Sequence, residues 1–274
     1  MFDPLLQLPI QSATPRLSRS AIPFVTQGAG DLLILIHGSL CDLRYWRWQV
    51  QKLYSSCQVV SLSLPGYWPH DPSTAAYDFT LQNHVDAVAD VVSQLRQPKQ
   101  NLYVLGHSRG AQVALQYALQ HHELTGLLLA HPAFIIDAPT PALPALAQAA
   151  ELLTQGQDEI ALNQFIDAVS GANTWRQMVG WFKTMVEDNA HTLIAQSREA
   201  LPVISAAQID LLYDLPVLLI SGELSPTRYQ KSTAALIKRL AQAQHVVIDK
   251  ASHGMNLANP KAFNRALLRF MQLT

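Results

Sequence analysis

Apolar positions along the chain fall into two alternating rhythms. Short runs with little polar interruption appear at "DLLILIHG" (31–38), "CQVVSLSL" (57–64) and "NLYVLG" (101–106), and again at "LTGLLLAH" (124–131), "LPVLLIS" (215–221) and "HVVID" (245–249). Such runs, bounded by turn residues, predict strands buried on both faces. Between them lie segments of helical period: "LRYWRWQVQKL" (43–53), "LQNHVDAVADVVSQL" (81–95) and "AQVALQYALQ" (111–120). In the last, Ala111, Ala114, Leu115, Ala118 and Leu119 form one apolar stripe. Strand–helix alternation implies right-handed crossovers and a mostly parallel sheet. "RSAIPFVTQ" (19–27) predicts an earlier, antiparallel strand.

One interval breaks the rhythm. From Ala138 to Leu212 no strand pattern appears; a Pro/Ala-rich connection, "APTPALPALAQAA", leads into amphipathic helical stretches. The expected organisation is therefore a core domain formed by 1–137 and 213–274, with 138–212 inserted as a helical cap. Trp175, Met178, Phe182 and Met185 fall on one helical face. That face either packs the insertion onto the sheet or roofs an apolar pocket, and the two roles are compatible. Trp175, Met178 and Phe182 are the expected substrate-binding residues.

Composition narrows the function classes. The chain has 274 residues, 49% hydrophobic and only 14% charged, which allows a sizeable core. The formal net charge is −1, with no basic run, so capture of nucleic acid or an anionic membrane is not expected. Cys41 and Cys57 do not form a disulfide framework and read as free thiols of a reducing compartment. The opening "MFDPLLQLPIQS" lacks the pattern of a secretory signal, and no run approaches the roughly 20 apolar residues of a membrane span. The expectation is a cytoplasmic protein. The histidines show no ligand spacing with Asp, Glu or Cys, so no metal is expected.

The candidate chemistry centres on "GHSRG", Gly106–Gly110, between a predicted strand and a predicted helix. That context makes Ser108 a candidate nucleophile on a sharp strand-to-helix turn. The backbone N–H of Arg109 opens the helix and faces the space above the serine, half of an oxyanion hole. "LILIHGSLCD" offers the other half, because Gly38 lets the chain reverse and turn the N–H of Ser39 or Leu40 toward Ser108. His253, in the loop "IDKASHGMNLANP" after the last predicted strand, is the candidate general base; serine first and histidine last is the order this motif requires.

With "HGSLCDLRYW", "GHSRGAQVAL", "SGELSP" and "ASHGMNLANP" in place, the chain resembles the α/β-hydrolase superfamily from about Ala21 to Leu273. The resemblance implies an α/β fold with a mostly parallel eight-stranded sheet flanked by helices and an inserted helical cap. It points to the serine-nucleophile branch of esterases, lactonases and carbon–carbon bond hydrolases. One element departs from the family pattern. Most relatives carry an aspartate three residues after the glycine ending the seventh strand, where this chain has Ser225. Others take the acid from the end of the sixth strand, where this chain has His131-Pro132. Both carboxylate seats are empty. Glu223, at the right strand end, is the first candidate for the acid and Asp137 the second; the remaining readings are a dyad without a carboxylate and a site that has lost efficient chemistry. Arg109 opposes the helix dipole, which calls for a carboxylate partner nearby or a role in receiving a substrate carboxylate.

The leading expectation is a cofactor-independent serine hydrolase acting on a small or medium ester, lactone, thioester or activated ketone with an apolar acyl part. The alternatives are a ligand-binding or regulatory protein on the same fold and a carbon–carbon bond hydrolase. The sequence leaves the substrate and the oligomeric state open.

Overall fold

The computed structural model describes residues 11–13, 22–70, 78–140, 143–240 and 242–273. Its strands are β1 (Gln11–Ala13), β2 (Ile22–Gln27), β3 (Leu32–Ile36), β4 (Gln58–Leu62), β5 (Leu102–His107), β6 (Gly126–Ala130), β7 (Val217–Gly222) and β8 (Gln244–Ile248). They form one eight-stranded sheet in the order β1-β2-β4-β3-β5-β6-β7-β8. Strands β3 to β8 are parallel, β2 runs antiparallel to β4, and β1 runs antiparallel to β2. The first three residues of the 19–27 expectation, and the opening segment 1–10, lie outside the described residues.

The helices are α1 (Arg47–Leu53), α2 (Leu81–Leu95), α3 (Arg109–Gln120), α4 (Pro144–Thr154), α5 (Asp158–Ser170), α6 (Thr174–Gln177), α7 (Gly180–Asp188), α8 (Thr192–Ser197), α9 (Ala206–Asp210), α10 (Thr227–Arg239), α11 (Met255–Ala258) and α12 (Pro260–Phe270). The continuous apolar strands are explained by helices on both faces. Leu32, Ile34 and Ile36 of β3 join a core with Val85 and Val88 of α2 and Val113 of α3. Leu33 and Leu35, pointing the other way, join Val50 and Leu53 of α1 and Phe263 and Leu267 of α12. The period of two along the strand thus feeds two separate cores.

Three expectations are corrected. The 43–53 helix is a 3-10 turn, Leu43–Trp46, followed by α1; Asp42 caps it by accepting from the Arg44 N–H. The "HVVID" run is not buried on both faces: β8 is the sheet edge, and Val247 is 49% exposed. The 175–185 stripe is not one helix. Met178 is extended (φ −67°, ψ 135°) and separates α6 from α7, so the four residues do not share a face. Helices α4 to α9 all lie between β6 and β7. They carry their own core, with Leu162, Phe165, Trp175 and Leu193 packed around Leu40 of the sheet domain. No described helix is long and apolar enough to cross a membrane.

Candidate active site

The strand order reverses between β3 and β5, and the loops leaving the carboxyl ends of the strands open a crevice there. Ser39 follows β3, Ser108 follows β5, His131 follows β6, Ser225 follows β7 and His253 follows β8. Residues far apart in sequence therefore meet at one edge of the sheet.

Ser108 has φ 55° and ψ −117°, a conformation that costs an L-residue about 1–3 kcal/mol. It is held by its N–H donating to the Ala130 carbonyl (2.9 Å) and its carbonyl accepting from the Ala111 N–H (3.0 Å). The glycines are steric requirements. A Cβ on Gly106 would overlap the Gly110 carbonyl, and one on Gly110 would overlap the His37 carbonyl. Strand, turn and helix are thus pressed together, and the serine is fixed at the head of α3.

His253 is brought to this edge and is buried. Its carbonyl accepts from the His107 Nε2–H (2.8 Å), which ties the 253 loop to the residue preceding Ser108. Its Nδ1 lies 2.8 Å from Nδ1 of His131. The other nitrogen of His131, Nε2, bonds to the Ser225 hydroxyl. Tyr229, near the start of α10, stacks on His131 (4.4 Å between centroids, 8° between planes) and on His253 (4.6 Å, 24°). Burial raises its phenol above the ordinary value, with Arg228 and then Ser108 opposing the shift. Burial holds His253 well below the ordinary imidazole value, with His107, His131 and Arg228 adding to the effect. Burial likewise lowers His131 to about 2, helped by His107 and Arg228, and lowers His107 to about 4. All three are neutral imidazoles near pH 7. Although they converge, no group of His, Cys, Asp and Glu among the described residues is placed to hold a metal ion.

Neither carboxylate named as a candidate acid reaches His253. Glu223 is exposed, and its Oε2 accepts from the Lys250 N–H (2.7 Å). Asp137 accepts from the Ala206 N–H (2.8 Å), at the start of α9. Each closes a loop locally. The two seats without a carboxylate are linked to His253 in series: His131 meets it directly, and Ser225 bonds to the far nitrogen of His131. Sequence reasoning located both positions but rejected them by residue type, and it missed Tyr229 and His107. For His107 the signal was its place beside Ser108; nothing in the sequence marks Tyr229.

The β3 loop turns through Leu40 at φ 60°. Among the described residues, no hydrogen bond takes the N–H of Ser39 or Leu40. The Arg109 guanidinium turns away into the protein, where it meets both Glu199 oxygens (2.8 and 3.0 Å) and Nδ1 of His84 (2.7 Å). The carboxylate partner demanded by the helix dipole is thus supplied by the helical insertion. Both side chains of the pair are 3% exposed. Replacing Glu199 by alanine leaves a buried, uncompensated guanidinium, and the expected loss is about 3–5 kcal/mol. A lower urea midpoint at unchanged slope, with faster proteolysis between α4 and α9, checks this.

Two cavities flank Ser108. One, of about 530 Å³, is lined by Trp48, Phe165, Met178, Trp181, Phe182 and His253. The other, of about 670 Å³, is lined by Gln112, Ile135, Leu143, Glu199, Arg228 and Lys231. Ser39 and Ser108 belong to both. Met178 and Phe182 thus line a cavity as expected from their apolar character. Trp175 does not: it is 1% exposed, its indole N–H donates to Glu159 (2.7 Å), and it fills the core of the insertion.

The fold and the serine at the strand–helix turn define the class of protein. Residues 33–266 match the model of the alpha/beta hydrolase family, and the chain belongs to that family. It is an enzyme of the hydrolase class. Among curated relatives, it is 25% identical to the (E)-2-((N-methylformamido)methylene)succinate hydrolase of Acinetobacter baylyi, over 92% of this chain and 94% of that one. It is 27% identical to the pimeloyl-[acyl-carrier protein] methyl ester esterase of Yersinia enterocolitica, over 89% and 95%. Among solved structures, the esterase from Exiguobacterium antarcticum superposes with a TM-score of 0.77 at 18% identity, covering 96% of this chain and 98% of that one.

Proposed function

We propose that this chain is a cofactor-independent serine hydrolase of carboxylic esters. The observation that carries the reading is Ser108 on a strained strand–helix turn, between two cavities and beside a buried neutral histidine. In this reading the Ser108 hydroxyl attacks the ester carbonyl and passes its proton to Nε2 of His253. The N–H groups of Arg109 and of Ser39 or Leu40 receive the oxyanion. His253 returns the proton to the departing alkoxide, and water, activated in the same way, releases the acid. The insertion, 138–212, acts as the cap. It gives the first cavity its apolar walls, Met178 and Phe182 among them, and these suit an apolar acyl part. The ester's other arm extends into the second cavity. The methyl ester esterases among the relatives support an ester over the other carbonyl classes, and buried thiols at Cys41 and Cys57 suit a cytoplasmic enzyme.

The test is turnover of p-nitrophenyl esters of increasing acyl length, with intact mass after exposure to a fluorophosphonate. Hydrolysis, together with one adduct mapped to Ser108, supports the reading. Saturable binding of apolar ligands with neither turnover nor adduct would instead support a receptor on the hydrolase fold.

A further inference from the structure

The family's carboxylate is missing, yet His253 is not left without an orienting partner. Proton counting along the contacts defines that partner. The Ser225 hydroxyl lies 2.5 Å from the Gly222 carbonyl, an atom that only accepts, so the single hydroxyl proton of Ser225 is committed there. Its oxygen is then an acceptor. It receives the Gly222 N–H at 2.9 Å, and it can bond to His131 only if Nε2 of His131 carries a proton. The Gly222 N–H is also 3.4 Å from that nitrogen, but a protonated Nε2 does not accept, and Ser225 already serves this donor. A neutral His131 with its proton on Nε2 presents a lone pair at Nδ1. The 2.8 Å contact between the two Nδ1 atoms then requires that His253 supply the proton. With Nδ1 protonated, neutral His253 keeps its lone pair on Nε2, the nitrogen a general base needs. A backbone carbonyl at the end of β7 therefore sets the tautomers of two histidines in succession.

We propose that His131, itself fixed by Ser225, is the positioning residue that replaces the triad carboxylate by holding His253 in its reactive tautomer and orientation. The assignment rests on the serine hydrolase reading above. His131 is suited to the position: it is fully buried, its ring is clamped against Tyr229, and its backbone has φ 51°. The groups facing the pair are His107 from β5 and Arg228 and Tyr229 from α10; Arg228 donates to the Tyr229 phenol at 2.7 Å. Among the described residues no carboxylate contacts either imidazole. A neutral acceptor supplies orientation but no negative charge. When His253 takes the Ser108 proton, the imidazolium is held in place without the stabilisation a carboxylate provides.

The experiment measures the rate of fluorophosphonate labelling of Ser108 against pH in four proteins: wild type, His131→Ala, His131→Asn and His131→Asp. Asn and Asp tolerate positive φ and keep an acceptor oxygen, so they guard against a folding defect. His131→Ala is expected to label at least about 100-fold more slowly at unchanged reagent half-saturation, as for loss of the correct tautomer. His131→Asn should stay within about tenfold of wild type. His131→Asp should move the acidic limb of the profile upward by about 1 pH unit or more, because an anion stabilises the imidazolium. Wild-type labelling by His131→Ala, or an unmoved limb in His131→Asp, overturns the proposal. Nitrogen-15 tautomer signatures decide it independently of activity. Nδ1-protonated His253 and Nε2-protonated His131 in wild type support it, and His253 protonated on Nε2 overturns it. If wild type does not label but carries these tautomers, the serine hydrolase reading fails and the positioning role falls with it, while the tautomer arrangement of His131 and His253 stands.

Discussion

Ser108→Ala and His253→Ala are each expected to lower kcat for an activated ester by about 10²- to 10⁴-fold. In a complete serine triad the loss approaches about 10⁶, of which the carboxylate alone accounts for about 10⁴ or more. Here no carboxylate meets His253, so wild type starts from a lower rate and has less to lose. The neutral His131 keeps orientation, which places the loss above the lower bound. The residues act as a unit, so the double variant should be no slower than the slower single variant. KM should change little, because neither side chain supplies most of the binding surface; the cavity walls do. Additive losses in the double variant would show that the two side chains do not act on the same proton. Because burial lowers His253, the acidic limb of wild-type activity should lie below pH 6.5 over the range in which the fold holds.

The fold itself should be acid-labile from near neutrality. Five histidines, His37, His84, His107, His131 and His253, are buried, and burial is the largest cause of the lowered value of each. The ordinary value of an exposed imidazole is about 6.5. His37 is lowered to about 3, His107 to about 4 and His131 to about 2. Between the unfolded and folded values the unfolded chain binds more protons, so stability is present above about pH 6.5 and is lost as pH falls. Each imidazole contributes a slope of about 1.4 kcal/mol per pH unit in that window. Burial raises the carboxyls of Asp42 and Glu199, which act in the opposite sense and offset at most two protons. Urea midpoints measured from pH 7.5 down to 4.5 should therefore fall steeply. A flat profile would show that these imidazoles are solvated or paired with charge in solution.

The strand runs were legible because burial on both faces leaves an unbroken apolar signature, and six of the eight strands carry it. The exception in detail, β8, reads the same as the others yet sits at the edge. A run of valines records β-propensity and not position in a sheet. The site was legible where its geometry is local. The turn at Ser108 needs glycines at fixed offsets, and those offsets are visible in five letters of sequence. The Arg109 partner was legible as a requirement, through the helix dipole, though not as Glu199, 90 residues away.

By itself, then, the sequence determined the alternating α/β architecture, the strained serine, the loop histidine and the absence of a carboxylate from both customary seats. Each follows from short-range chemistry: period, turn sterics and residue type. Only the tertiary structure decided what faces His253. His131 lies 122 residues from His253 in sequence, and its partner Ser225 lies 94 residues from His131. Three strand ends must lie side by side before those two imidazoles and one hydroxyl can share protons. Trp175 lies in the core of the insertion and not on a cavity wall, because the helix is interrupted at Met178 and its face turns away. Hydrogen bonds among neutral groups carry no compositional mark, and so they become visible only when the strands are in register.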